Sequence, residues 1–298
     1  MAIMRIVGGL ILMPYLICDN CGTYYSIEDD EEIFEICDCG SKLRYYETLL
    51  EYSEYARSQE PEPVRKFITL RRAYTENKAY DYRLIEIIGV SMGIIGFIWL
   101  INGFLLAILS VFAGIIILIY GICEGYSWKK GLEGEKIVND ELEKLPEGYF
   151  IFYDVKLPGD TGNIDHVVIG SNGIFVVETK SYEGEYLIKG DEWYLKEGSI
   201  LNPKWKKVTR RPGKQAKANA LALRNFLIKN IGTKRPWVHA IVALVGQRPL
   251  KIKTEYYTIL QPQEIPEFIT NKKGRLTKNF KEESIELIGP YSAEISFM

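Results

Sequence analysis

The sequence has almost no net charge, with 37 Lys and Arg against 39 Asp and Glu over 298 residues. No single-sign excess therefore points to a partner, and the regions must be read one by one. Histidine is scarce, present only as His166 and His239, and cysteine occurs five times. Basic residues are nearly missing from one stretch: between Met13 and Glu62 stand thirteen Asp or Glu and three Lys or Arg, including the run EDDEE at 28–32. Such a segment repels a phosphate backbone, which leaves it a protein-contact or purely structural role. The apolar start MAIMRIVGGLILM carries one basic residue and superficially matches a signal peptide, but no small-residue cleavage site precedes Cys18. Met13 opens MPYLICDNCG, a natural beginning for a cysteine-bearing strand, so translation is expected to start there.

What is abundant is apolar sequence in the middle of the chain. From Leu84 to Cys123 the run is broken only by Glu86 and by Asn102-Gly103. A bilayer core needs about 20 apolar residues per helix. This run is long enough for two, near 84–101 and 104–123, with Asn-Gly as the turn. A buried hairpin of a soluble domain is the alternative, but neither helix has a polar face. Arg71, Arg72, Lys78 and Arg83 precede the pair, Lys129 and Lys130 follow it, and the turn has no basic residue. Positive charge stays inside, so both termini are expected in the cytoplasm of a cell-membrane protein with two spans.

Four cysteines form two close pairs, Cys18-x-x-Cys21 and Cys37-x-Cys39, each followed by glycine, while Cys123 stands alone. This pattern suits a tetrahedral thiolate site for structural Zn²⁺. Disulfides are the alternative, disfavoured by a reducing compartment and by the tight Cys37-x-Cys39 spacing. The segment resembles small zinc ribbons, placed here at residues 13–45, and its acidity leaves room for a protein partner. Residues 46–83, interrupted by Glu-Pro-Glu-Pro, read as a partly helical connector.

The stretch NIDHVVIGSNGIFVVETK at 163–180 places Asp165, Glu178 and Lys180 within two apolar strands. Gly170-Ser171-Asn172-Gly173 signals a hairpin in which Ile169 faces Ile174. Counting outward sets Asp165 opposite Glu178, with Lys180 on the same face. Adjacent carboxylates repel unless a proton or cation lies between them. Mg²⁺ or Mn²⁺ fits such hard oxygens, and a neighbouring lysine can orient or help deprotonate water, which is chemistry for phosphodiester hydrolysis. A structural ion triad is the alternative. His166 should point to the other face as a packing or hydrogen-bonding residue.

Around this hairpin the pattern predicts a helix at 134–145 with Ile137, Leu142 and Leu145 inward and Glu135 on its first turn, then a strand at 149–155. An amphipathic helix is expected from about Gly213, with Gln215 at its start and Ala218, Leu221, Ala222 and Leu223 on its apolar face. WVHAIVALVG at 237–246 reads as a buried strand. The basic segment Lys204, Lys206, Lys207, Arg210, Arg211 and Lys214, with Trp205 for stacking, suits nucleic acid. A solvated loop or lipid-headgroup contact is the alternative.

Gly134-Glu135, NIDHVVIG, SNGIFVVETKSYEG, Asn202-Pro203 and Gln215 together resemble the NERD (nuclease-related) domain of the PD-(D/E)xK nuclease superfamily, over residues 131–246. The resemblance implies an α/β, restriction-endonuclease-like αβββαβ core, with Asp165, Glu178 and the Val177 carbonyl on Mg²⁺ or Mn²⁺ and Lys180 activating or positioning water. It further implies Glu135 as a helix-borne carboxylate near the metal and Gln215 as an auxiliary polar group. The expected function is a membrane-anchored, metal-dependent nuclease acting on DNA more readily than RNA. A non-catalytic scaffold that keeps the fold only for binding is the alternative. Residues 247–298 are expected to add an edge strand near 255–260, helices near 263–270 and 281–287, and a tail completing the surface.

Overall fold

The computed structural model describes residues 5–7, 10–12, 14–18, 23–26, 35–58, 66–69, 73–105, 107–159, 162–199, 202–232, 236–246, 249 and 251–298. They fall into two compact units, residues 1–71 with 137–298, and residues 72–136. In chain order come β1 (Arg5–Val7), β2 (Leu10–Leu12), β3 (Tyr15–Cys18), β4 (Tyr24–Ser26), β5 (Leu43–Tyr46), α1 (Leu49–Ser58) and β6 (Lys66–Thr69). The long helices α2 (Tyr74–Ile101) and α3 (Ala107–Leu142) follow. Then come β7 (Phe150–Val155), β8 (Ile164–Gly170), β9 (Gly173–Tyr182), β10 (Tyr186–Lys189), β11 (Glu192–Ser199), β12 (Asn202–Lys207) and α4 (Pro212–Ile231). The chain finishes with β13 (Val238–Gly246), β14 (Lys251–Lys253), β15 (Thr258–Leu260), α5 (Ile265–Thr270), α6 (Lys278–Ile288) and β16 (Glu294–Phe297).

The first unit is mixed α/β around a seven-stranded sheet in the order β15-β13-β9-β8-β7-β16-β6. Strand β13 runs parallel to β9 and β15, and the remaining pairs are antiparallel. The central strands read VVI, IFVV and AIVALV because both faces are covered, which favours near-continuous β-branched sequence over alternation. One face packs on α4 and α6 through Val167, Ile169, Ile174, Val176, Ala216, Ala220, Leu223 and Leu227. The other packs on the end of α3 and on α5 through Val138, Leu142, Val168, Phe175, Val177, Ile265 and Ile269. Full burial of one such aliphatic side chain contributes roughly 1.5–3 kcal/mol, so both faces hold the sheet strongly.

Several elements differ from the sequence reading. The segment read as a connector supplies β6, the edge strand of this sheet, and α1, whose Leu49 and Tyr52 join its core. The C-terminal tail is interior: β16 pairs with both β7 and β6, and Ile295 and Phe297 are buried. The second apolar span and the expected helix at 134–145 are one continuous 36-residue helix that ends at Leu142 and turns Val138, not Ile137, into the core. Helix α4 starts at Pro212, suited to a first turn, but its inward residues are Ala216, Ala220, Leu223 and Leu227, while Ala218 and Leu221 face outward. The apolar content of 218–223 masked the 3.6-residue phase. Strands β10, β11 and β12 form a separate small sheet with β14.

The cysteine segment is a three-stranded sheet, β4-β3-β5, with β3 central. Tyr15 and Ile17 of β3 and Tyr46 of β5 belong to the core on the α4 side. Upstream of it, β1 and β2 pair as a small hairpin, and β2 lies against α6.

In the second unit α2 and α3 are antiparallel and meet through glycine. A Cβ on Gly114 would lie 2.6 Å from the Gly93 nitrogen, and one on Gly89 would lie 2.6 Å from the Leu118 nitrogen. Small residues let backbones approach where lipid leaves no hydrophobic drive between helices. Ser110 Oγ donates to the Met92 carbonyl at 3.3 Å, and Lys129 pairs with Glu86 at 2.7 Å. Both helices are long and apolar enough to cross a membrane, and Ile88, Ile95, Phe97, Leu109, Phe112 and Ile116 are exposed along them.

Candidate functional site

Strands β8 and β9 pair with Gly170 against Gly173 and Ile169 against Ile174, closing on the two-residue turn Ser171-Asn172. The ladder is continuous to His166 against Val177, and one further step sets Asp165 opposite Glu178. There the pairing changes character: the Thr179 N–H donates to Asp165 Oδ2 at 2.7 Å. Glu178 is fully buried, and Lys180 Nζ donates to its Oε1 at 2.5 Å. Asp165, Glu178 and Lys180 therefore meet at one end of the sheet face that carries α4.

Two more residues complete the site, and neither is part of the sequence-level set. Asn219, on α4, donates from Nδ2 to Glu178 Oε2 at 2.9 Å. It lies one helical turn after Gln215, which is exposed and hydrogen-bonds through its backbone to Arg211. A polar residue between the inward Ala216 and Ala220 is the signal that marks it. Asp154 is the second. With Tyr153 opposite His166 and Val155 opposite Ile164, Asp154 falls opposite Asp165. Its φ of 48° is left-handed, a conformation Asp tolerates better than most residues, and Asn163 Nδ2 donates to its Oδ1 at 2.6 Å. The charge within FIFYDV is its sequence signal.

The cluster holds more acids than bases. Burial pushes the Asp165 carboxyl above its usual range, the Lys180 ammonium and the Thr179 N–H oppose that rise, and the Asp154 carboxylate adds to it. For Lys180, burial works against the charged form, yet Glu178 and Asp165 outweigh it and the net shift is upward. One ammonium thus serves two carboxyl groups, the buried Glu178 and the half-buried Asp165. This donor set of hard oxygens beside a lysine fits a divalent cation such as Mg²⁺ or Mn²⁺.

The opposite face is built differently. His166 Nε2 donates to Asn139 Oδ1 at 2.6 Å, and burial depresses the imidazole to about 4, keeping it neutral. It acts as the packing and hydrogen-bonding residue its strand position suggests. His239 also lies on this face, stacked 5.1 Å from Phe175. Val177 pairs with His166 and buries its side chain here. Glu135 belongs to the second unit, where Thr75 Oγ1 donates to it at 2.8 Å.

The basic segment is not wholly a loop. Lys204, Trp205, Lys206 and Lys207 lie on β12, paired with β11, while Arg210 and Arg211 lead into α4 and Lys214 lies on its first turn. Lys206 pairs with Glu197 at 3.0 Å and Lys207 with Glu192, so part of the positive charge is neutralised locally. Trp205 remains exposed.

In the cysteine sheet, one ligand atom from each of Cys18, Cys37 and Cys39 lies within 4.8 Å of the others. Cys18 and Cys39 Sγ are 3.5 Å apart. Cys21 falls outside the described residues. Three converging thiols fit a thiophilic ion such as Zn²⁺.

Residues 130–245 match the family model of the nuclease-related domain, NERD. A curated relative, an uncharacterized protein of Bacillus anthracis, is 44% identical over 86 residues, covering 25% of this chain and 40% of that protein. The chain thus matches well under half of that relative's length. No solved structure matches it.

Proposed function

We propose that this chain is a membrane-anchored, divalent-metal-dependent nuclease that hydrolyses nucleic-acid phosphodiester bonds at the cytoplasmic face. The observation that carries the reading is the convergence of Asp165, Glu178 and Lys180 on one buried sheet end within a nuclease-related domain. The run from the end of α3 through β7, β8, β9, α4 and β13 supports an αβββαβ core, with β10–β12 as an insertion.

Asp165 and Glu178 would hold Mg²⁺ or Mn²⁺, with the Val177 carbonyl as a candidate further ligand. When bound, such an ion supplies Lewis-acid charge for the phosphate oxygens and a more acidic water. Lys180, held by Glu178, keeps its ammonium at the mouth of the carboxylate pair, where it orients water and opposes negative charge developing on phosphate. Gln215, on the exposed start of α4, would be an auxiliary polar group, and Glu135 is a further carboxylate to test. The phosphate backbone would run over Lys204, Lys206, Lys207, Arg210, Arg211 and Lys214, with Trp205 stacking on a base. DNA is favoured over RNA.

Zn²⁺ would be held by Cys18, Cys37 and Cys39 with Cys21 as fourth ligand, in a structural role that leaves its acidic surface open to a protein partner. Two spans, α2 and α3, anchor the enzyme in the cell membrane. Strand β6 precedes them and β7 follows them, and both flank β16 in one sheet, which supports a hairpin with both termini cytoplasmic.

The test is degradation of mixed DNA and RNA by the purified full chain with Mg²⁺, Mn²⁺ or chelator. Cleavage that needs the metal and is lost in Glu178→Gln supports the reading. No cleavage with either metal leaves the scaffold reading in its place.

A further inference from the structure

Both oxygens of the buried Glu178 carboxylate are engaged, Oε1 by Lys180 Nζ and Oε2 by Asn219 Nδ2. The two donors differ in kind. Lys180 reaches Glu178 from the same strand, two residues on, and carries a full charge. Asn219 reaches it from α4 and is neutral. The position of Asn219 is set by packing: Ala216, Ala220, Leu223 and Leu227 are buried against the sheet and fix the rotation of the helix.

For Glu178 to give an oxygen to a cation, one donor must yield. Both bonds end on the same carboxylate, but only Lys180 adds a full opposite charge, whose loss in a buried site costs far more than that of an amide dipole, so the amide is the partner that yields. An amide also differs from an ammonium in what it can do next. Turned about its last torsion, it presents a carbonyl oxygen, a hard ligand for Mg²⁺ or Mn²⁺ or for one of their waters. Lysine has no acceptor to offer. We infer that Asn219 is the positioning residue of this site: its amide holds Glu178 in place without metal, releases Oε2 to the cation and turns its own carbonyl oxygen toward the cation's shell. This inference rests on the nuclease reading above. Asn219 thus sets how tightly Glu178 binds the ion, while Lys180 keeps the remaining oxygen.

The test is Mn²⁺ titration of the chelator-treated full chain with its zinc retained, by calorimetry, together with melting temperature with and without Mn²⁺. Asn219→Ala removes both the donor and the carbonyl oxygen and should weaken Mn²⁺ binding about tenfold, a difference of about 1.4 kcal/mol. Asn219→Asp replaces a donor with a carboxylate beside Glu178. It should lower the melting temperature of the metal-free protein, tighten Mn²⁺ about tenfold, and recover stability when Mn²⁺ is added. Should Asn219→Asp fail to fold without metal but fold with it, that metal dependence supports the same role. A merely structural asparagine would lower melting in both variants equally, with and without Mn²⁺, at an unchanged dissociation constant. Unchanged affinity in both variants, with binding abolished by Glu178→Gln, overturns the role of Asn219 and leaves the metal site standing. Wild-type protein that binds no Mn²⁺ through Glu178 overturns the metal site and this inference together.

Discussion

The two faces of the seven-stranded sheet are built from alternate residues of the same strands, yet they solve burial in opposite ways. On one, Asp165, Glu178 and Lys180 form a cluster of ionisable side chains supported by Asn219. On the other, His166, Asn139 and His239 are neutral among apolar side chains, because burial depresses both imidazoles to about 4. The charged face is also the more elaborately propped. Its core joins α4 and α6 to α1 and to the cysteine sheet, whereas the neutral face is closed by the end of α3 and by α5. A buried carboxylate is costly unless paired, so the face that holds the carboxylates needs the larger scaffold.

The largest expected effects test the charged face directly. Glu178→Gln should abolish cleavage and divalent binding and lower the melting temperature without metal, since it leaves the Lys180 ammonium without its buried ion-pair partner. Lys180→Ala should keep the metal, lose turnover by orders of magnitude and lower metal-free stability, because the carboxylates lose their fixed counter-charge. Cleavage unchanged in both would return the cluster to a plain ion triad.

Next comes the prop. If Cys18, Cys37 and Cys39 bind Zn²⁺, a Cys18→Ser, Cys39→Ser variant should lose it, and the whole first unit should melt earlier, because Tyr15 and Ile17 of the same strand lie in the core around α4. Full zinc content in that variant would remove the site. An unchanged melting temperature would make the cysteine sheet an appendage and equalise the two faces.

The hairpin, its register and the convergence of Asp165, Glu178 and Lys180 were legible because period-two alternation and a strong turn fix them locally. Asp154 and Asn219 were not, because each depends on a partner far along the chain: β7 must pair with β8, and α4 must rotate to the phase of Ala216 and Ala220. Likewise β6 and β16 enter the sheet through long-range pairing that four-residue segments do not announce. The basic stretch showed its charge but not its strand, since Glu192 and Glu197, which partly neutralise it, lie on the preceding hairpin arm.

A smaller effect separates the faces by pH. Glu286 of α6 accepts from the Leu49 and Leu50 N–H groups at 3.1 and 3.0 Å, capping α1 on the charged side. Burial raises its carboxyl to about 7 from a reference of 4.5, against those two N–H donors and with Glu282 adding to the rise. The folded state therefore binds this proton more tightly than the unfolded chain. Its contribution is present below about 4.5, declines as pH rises, and is lost above about 7. The swing is on the order of 3 kcal/mol. Glu286→Gln should flatten the melting-temperature slope across that window, and an unaltered slope would show that the cap carries no such proton.

The smallest expected effect asks whether the faces are independent. Asn139→Ala leaves the His166 Nε2–H without its acceptor in a buried site and should cost about 1–3 kcal/mol of stability. His166 follows Asp165 directly, so a backbone shift at one could reach the other. But the side chains point to opposite faces, and β8 is held on both sides by β7 and β9, which resists any such shift. Mn²⁺ affinity and cleavage at a temperature where the variant is folded should therefore match wild type. A several-fold loss of Mn²⁺ affinity in Asn139→Ala would show that the neutral face positions the metal ligands through the strand, and the division of labour between the faces would not hold.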